Sequence, residues 1–330
     1  AQGDQVEIFS LPWRTYARHI GDNFSGQLYK RLLRASLDVL LQDELNHPSL
    51  FWLNHQLKNQ VAYPIVAIVH HLRCSESRPA WQNRFYRWVE RRYLATVDGL
   101  ILNSQTTRAT VEGLIGTGRR AVVAYPGGDR LNSTLTQAQI ASRARQPGPL
   151  RILFIGNLIA RKGLHTLLDA LAYLPRGSWR LEVAGNLEVD PIYGRAIRRQ
   201  IKDLDLTKYV TLSGYLTDDK LGTCLAQSHL LAVPSSYEGF GIVYLEAMGF
   251  GLPVFASTAG GAQEIVTHQR EGFLVLPGDA VPLAGHIREL VQDRERLLQM
   301  SQAAYQRYRT FPTWIESSER IRQFLETMVN

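Results

Sequence analysis

Short runs of branched and aromatic residues alternate along this chain with segments of helical spacing. That alternation admits few folds: parallel strands joined by helical crossovers, stacked in α/β layers. In the first half the candidate strands are Val6–Ser10, Val39–Asp43, Ile65–His70, Gly99–Asn103 and Ala121–Ala124. In the second they are Arg151–Ile155, Arg180–Ala184, Val210–Ser213, Leu230–Val233, Pro253–Ala256 and Gly272–Leu276. Gln146-Pro-Gly-Pro-Leu150 separates the two sets, so the chain reads as Rossmann-like domains over 1–147 and 148–312. A helix over 313–330 follows, with apolar Trp314, Ile315, Ile321, Phe324 and Leu325. A chain of 330 residues is long enough to bury two cores.

Composition narrows the function classes. Apolar residues make up 45% and charged residues 20%, as in ordinary soluble proteins. No apolar run reaches the ~18 residues that span a bilayer, and no signal-peptide core opens the sequence. Cys74 and Cys224 lie far apart, which indicates neither a disulfide framework nor a zinc site, so a reducing, cytoplasmic setting is expected. The net charge of +7 favours an anionic partner: a nucleoside diphosphate, a phospholipid surface or a nucleic acid. The last rests on charge alone, and no nucleic-acid partner is expected.

The densest chemistry lies in Pro234-Ser-Ser-Tyr-Glu-Gly-Phe-Gly-Ile-Val-Tyr-Leu-Glu-Ala-Met-Gly-Phe-Gly-Leu-Pro253. An apolar run ends at Pro234, a polar turn follows, and Gly241 opens a helical pattern. Glu238 therefore sits on a turn before a helix N-terminus, and Glu246 about two turns into that helix. Gly239 and Gly241 let backbone approach a ligand, and the N–H groups of Phe240, Gly241 and Ile242 suit an anion. Phosphate takes such donors, and sugar or ribose hydroxyls take the carboxylates as acceptors.

A second segment, Ile152-Leu-Phe-Ile-Gly-Asn-Leu-Ile-Ala-Arg-Lys-Gly-Leu-His165, runs from a strand into a loop at Gly156. Arg161 and Lys162 precede a helix there. Cations at a helix N-terminus oppose its dipole, so the pair makes sense if a diphosphate sits between them. A third element is His70, at the end of Pro64-Ile-Val-Ala-Ile-Val-His-His71, where parallel strands present ligands. Either His70 or His71 faces the cleft, and His70 is favoured.

Together these segments resemble the retaining glycosyltransferases of family 4, whose Glu-x7-Glu motif matches Glu238 and Glu246. The resemblance implies the GT-B fold: two Rossmann-like domains with parallel sheets facing a central cleft, and a terminal helix crossing back to the first. It implies a nucleoside-diphosphate sugar as co-substrate, with UDP-sugar favoured over GDP-sugar, no cofactor and no metal. The acceptor is then a sugar, lipid or small molecule. By the same resemblance Arg161 and Lys162 meet the diphosphate, Glu246 the ribose, and Glu238 and His70 the transferred sugar. Gly156, Gly185, and Gly214-Tyr215-Leu216 follow strands where such proteins lay the nucleobase. Gly260-Gly261 before Glu264, and the Asp43-Glu44-Leu-Asn-His-Pro48 stretch, are further cleft candidates.

The opening departs from the family. Such proteins begin with a strand, a glycine-rich loop and a helix, whereas this chain starts at what resembles their second strand, Gln5–Phe9. Three readings follow: another chain completes the first domain, the unit was removed, or the protein works without it. The rival functions are accordingly a partner-dependent sugar-nucleotide-binding subunit and a nucleotide-sugar epimerase of the same fold.

Two remaining motifs carry less. Asp203-Leu-Asp205 spells a metal-binding pattern of a different glycosyltransferase fold, but no strand precedes it, so it reads as a solvated helix end. Trp81–Tyr93 is helical by spacing, with Trp81, Phe85, Trp88 and Arg92 on one face and Arg84, Arg87 and Arg91 on another. The preferred reading is a core-packing helix whose arginines reach back to solvent. The alternative is a helix lying peripherally on an anionic membrane.

Overall fold

The protein is described by a computed structural model covering residues 3–329 apart from 13, 77 and 132. Strands β1 (Leu40–Asp43), β2 (Ile65–Val69), β3 (Gly99–Leu102) and β4 (Arg120–Val123) form a parallel sheet in the order β1-β2-β3-β4. The second sheet, also parallel, contains β5 (Leu150–Ile155), β6 (Trp179–Ala184), β7 (Val210–Gly214), β8 (Leu230–Ala232), β9 (Val254–Ser257) and β10 (Gly272–Val275). Its order is β10-β9-β8-β5-β6-β7. Helices cover the sheets, so the strands read as continuous apolar runs such as Ile65-Val-Ala-Ile-Val69.

In the first half the helices are α1 (Tyr16–Asp22), α2 (Gly26–Leu33), α3 (His47–Leu57), α4 (Ala80–Leu94) and α5 (Gln105–Ile115). Further along come α6 (Gln137–Arg145), α7 (Leu164–Ala172), α8 (Pro191–Asp203), α9 (Asp218–Gln227) and α10 (Ile242–Gly249). The last four are α11 (Ala262–Ile265), α12 (Ala280–Gln292), α13 (Arg294–Tyr308) and α14 (Trp314–Val329). After β5 the chain winds outward through β6 and β7, then returns to place β8 on the other side of β5. That reversal opens a crevice at the carboxyl ends of β5 and β8, where doubly wound sheets bind ligands. Both long sequence motifs emerge there.

Three features differ from the sequence reading. Residues 3–12 contain no strand, and Val6 and Ile8 are 81% and 80% exposed. A strand needs a neighbour to take its backbone groups. This segment has side-chain anchors instead: Arg31 reaches Glu7 at 3.1 Å and lies 4.1 Å over the Phe9 ring. Helix α6 precedes the expected boundary near residue 148, yet its Ala144 belongs to the core of the second sheet and Ala141 packs against it. Asp203 ends α8 and pairs at the surface with Arg199, the solvated helix end that the sequence suggested.

The third difference concerns α4. Val89, Tyr93 and Leu94 are its buried apolar residues, while Trp81, Phe85 and Trp88 remain 65%, 42% and 47% exposed. The aromatic face is not packed into the core. Among the described residues, no helix is long and apolar enough to cross a membrane.

Helix α14 lies against the first sheet. Its Ile321, Phe324, Leu325 and Met328 pack on Val66, Ile101 and Ala124. Asp129 Oδ1 accepts from Trp314 N–H at 2.9 Å, and Ser317 donates to the Tyr125 carbonyl. The start of α14 is thereby fixed to the segment that joins the two sheets.

Candidate functional site

The loop after β5 and the loop after β8 interlock. Ser236 N–H donates to the Arg161 carbonyl at 2.7 Å, and Arg161 Nη1 donates to the Tyr237 carbonyl at 2.7 Å. Gly163 ends the basic turn in the left-handed region, with φ +74°, and a Cβ there would lie 2.1 Å from the Pro234 oxygen. Gly163→Ala therefore strains the backbone and forces the loops apart. It should cost at least ~1 kcal/mol of stability from the left-handed conformation alone. An unchanged urea midpoint would contradict this packing.

Interlocking brings three predicted residues together. Lys162 Nζ bonds Glu238 Oε1, Arg161 Nη1 lies 3.4 Å from the same oxygen, and Ser235 Oγ donates to it at 3.2 Å. Glu238 is only 8% exposed. Burial works against its charge, but Lys162 and Arg161 outweigh that and hold the carboxyl below its ordinary value. The result is a buried carboxylate held by two half-buried cations at the sheet's switch point.

Beside it, Gly241 starts α10 with φ +92°. The N–H groups of Phe240, Gly241 and Ile242 take no acceptor among the described residues, so they remain available to an anion. The Phe240 ring turns away, buried against Tyr125 and Phe311 at centroid distances of 5.6 and 6.2 Å. Glu246, one side of α10, is 4% exposed and accepts from Arg130 Nε at 2.8 Å. Arg130 also pairs with Asp218. Glu246 is thus neutralised by an arginine that is itself 42% exposed and shared with a second carboxylate.

The remaining predicted positions form a backbone shelf along β5, β6 and β7. Gly156 N–H donates to the Ala184 carbonyl at 2.9 Å, and Gly185 N–H to the Gly214 carbonyl at 2.8 Å. Tyr215, 80% exposed, stands at the rim, while Leu216 packs on the core. An exposed aromatic ring next to glycines at strand ends suits a flat heterocycle.

The first sheet supplies the facing wall. His70 Nε2 lies 3.5 Å from Asp43 Oδ2. The Asp43 carboxylate raises the imidazole above its ordinary value, against the opposing effect of burial. A histidine raised in this way stabilises the fold in its charged form. Its contribution is full below pH 6.5 and is lost as pH rises through the folded value. Asp43→Asn should bring the His70 imidazole titration, followed by NMR, back down. A titration unmoved by the substitution would show that Asp43 does not hold the proton. His71 bonds Glu76 at 2.9 Å and its ring lies 6.4 Å from Tyr237, so it touches the second half while His70 faces Asp43.

The two walls meet directly. A Cβ on Gly239 would lie 2.3 Å from the His70 carbonyl oxygen, and Ser104 Oγ donates to the Gly239 carbonyl at 3.0 Å. Glu264 bridges further. Its carboxylate accepts from Gln105 N–H at 2.9 Å, Thr106 N–H at 2.7 Å, Thr106 Oγ1 at 2.6 Å and Tyr125 OH at 2.9 Å. A carboxylate of the second half thereby caps α5 of the first. The preceding turn also leans on the cluster, since Gly261 N–H donates to the Glu238 carbonyl at 2.8 Å.

Sequence reasoning missed Arg130 and Asp218, which stand in no recognisable local pattern. For Glu264 a signal existed: Ser104 opens α5, yet its first turn has no acidic residue. A further cluster, Glu44, His47 and Glu90, is buried with donor atoms within 4.8 Å of one another. Both His47 nitrogens are engaged, with Tyr16 OH at 2.9 Å and the Glu44 carbonyl at 2.8 Å, and Glu90 accepts from Arg73 N–H. These contacts make it a hydrogen-bonded core network.

The comparisons with known proteins agree with this geometry. A family model described as "Glycosyl transferases group 1" matches residues 136–307, just over half of the chain. The glycogen synthase of Mycobacterium tuberculosis is 30% identical over 225 residues, covering 66% of this chain and 51% of that protein. The GDP-mannose-dependent alpha-(1-6)-phosphatidylinositol monomannoside mannosyltransferase of the same organism is 30% identical over 200 residues, 57% of this chain and 50% of that one. The chain spans about half the length of these curated relatives. Among solved structures, Anabaena HepE in complex with UDP-glucose superimposes with a TM-score of 0.76 at 25% identity, covering 91% of this chain and 82% of that one. Sucrose-phosphate synthase of Thermosynechococcus elongatus, at 23% identity, gives a TM-score of 0.77 over 92% of this chain and 79% of its own. The two parallel sheets have the GT-B arrangement, and the chain belongs to the group 1 glycosyl transferases.

Proposed function

We propose that the protein transfers a sugar from a nucleoside-diphosphate sugar to an acceptor hydroxyl, with retention at the anomeric carbon. The observation that carries this reading is the Lys162–Arg161–Glu238 cluster beside three open N–H groups at the switch point of the second sheet. The bond from the anomeric carbon to the diphosphate breaks and one to the acceptor oxygen forms. The acceptor's proton passes to a diphosphate oxygen. Lys162, Arg161 and the N–H groups of Phe240, Gly241 and Ile242 meet the charge that develops on the departing diphosphate, so that role requires no metal. Glu238 accepts from sugar hydroxyls and favours positive charge at the anomeric carbon, and His70 orients the sugar from the facing wall.

In this reading Arg130 leaves Glu246 when donor binds, and ribose hydroxyls take its place. The nucleobase lies on the shelf of Gly156, Gly185 and Gly214, under Tyr215. A uridine donor is favoured, in line with HepE, whose structure holds UDP-glucose; one relative is GDP-mannose-dependent. Calorimetric titration with UDP and GDP, without added metal, tests the reading. One of them should bind, and Lys162→Ala with Arg161→Ala should abolish the heat. Binding of neither would refute the donor site as drawn.

A further inference from the structure

We propose that α4 and its neighbour α3 form a docking face for an anionic phospholipid bilayer. Three aromatic side chains of α4, Trp81, Phe85 and Trp88, are exposed, and Trp52 of α3 adds a fourth at 39%. Phe85 and Trp88 stack at 6.4 Å between centroids, Trp81 stands one turn earlier on the same face of α4, and Phe51 of α3, next to Trp52 in the chain, meets Trp88 edge-on at 5.9 Å. Water is a poor home for so much contiguous aromatic surface.

The rim of the patch says what covers it. Arg84, Arg87, Arg91 and Arg92 are all exposed. The ion pairs flanking the helix, Arg78–Glu76 and Arg108–Glu112, involve none of them. Arg92 instead lies over the Trp88 ring at 4.4 Å. The only acid on α4, Glu90, is buried on the opposite side, where it accepts from Arg73 and Cys74 N–H groups. The exposed side therefore presents indole and phenyl rings among four guanidinium groups that have no acidic partner among the described residues. A soluble protein partner would have to pair each of those charges geometrically. A phosphate-rich interface meets them wherever they lie, while the rings enter the headgroup–acyl boundary.

The helix is held rigidly for this task. Val89, Tyr93 and Leu94 anchor its inner side, and its start is tied to the cleft wall. Asn83 Nδ2 donates to the Glu76 carbonyl at 2.9 Å, and the Glu76 carboxylate bonds His71. The face stands apart from the donor site, and the proposal does not depend on the transfer reaction.

Cosedimentation with vesicles tests it. The full chain is mixed with vesicles of phosphatidylcholine alone, or of equimolar phosphatidylcholine and phosphatidylglycerol. Binding is expected on the anionic vesicles only. Replacing Arg84, Arg87 and Arg91 by glutamine should weaken it on the order of 100-fold. Trp81→Ser with Trp88→Ser should weaken it as well, and circular dichroism should confirm that both variants stay folded. Equal binding to both vesicles, or binding to neither, would overturn the proposal. Self-association without vesicles, lost in the tryptophan variant, would overturn it too, by assigning the face to a second copy of the chain.

Discussion

Replacing Lys162 by alanine should lower turnover by about 10²–10³-fold, the range seen when one preorganised charge or donor is removed from a transition state. Lys162 is the closest cation to Glu238 and stands where the β5 and β8 loops interlock. Without it the buried Glu238 keeps only Arg161 at 3.4 Å and Ser235 at 3.2 Å. Two effects follow from one substitution: the departing diphosphate loses a counter-charge, and a carboxylate is left short of partners in a low-dielectric site. They separate experimentally. The first appears in kcat under saturating donor, the second as a lower urea midpoint. Glu238→Gln removes the stranded charge and should restore part of the stability of the Lys162→Ala chain, but none of the turnover. A Lys162→Ala protein with unaltered kcat would mean that the diphosphate leaves elsewhere.

The second large effect belongs to Glu264. This carboxylate makes four hydrogen bonds to α5 and Tyr125, all across the line between the two sheets. It acts on the cleft by holding the walls together and by positioning the Gly260–Gly261 turn against Glu238. Glu264→Ala removes a helix cap together with two hydroxyl contacts and should cost about 2–3 kcal/mol of closure free energy. Small-angle scattering should then show a larger radius of gyration. The donor KM should rise more than kcat falls, because closure precedes chemistry. Glu264→Gln, which keeps one acceptor oxygen, should fall between. An unchanged radius together with an unchanged KM would show that the two halves are held by other contacts.

These expectations rest on different depths of reading. The strands of both sheets were legible because strands buried on two faces write themselves as unbroken apolar runs, as in Ile65–Val69. The Arg161–Lys162 pair and the two glutamates were legible because cations before a helix and carboxylates around a glycine turn contradict local preference, and such contradictions point to a ligand. What the sequence could not display was pairing over distance. Arg130 meets Glu246 across 116 residues, and Glu264 meets Thr106 across 158. Nothing local marks Arg130 as the partner of Glu246, or Glu264 as the cap of a helix in the other half. The run Val6–Ser10 failed for the same reason in reverse: its composition suits a strand, but among the described residues no sheet edge pairs with it. Helix α4 misled through its aromatic content, since spacing reveals which residues share a face but not which face turns inward.

The most direct test is a crystal structure of the chain with UDP. The account places the diphosphate oxygens on Lys162 and on the N–H groups of Phe240, Gly241 and Ile242. The ribose hydroxyls should lie on Glu246, with Arg130 displaced from its present 2.8 Å contact. A diphosphate bound away from the β5–β8 crevice, with the Arg130–Glu246 pair intact, would contradict it.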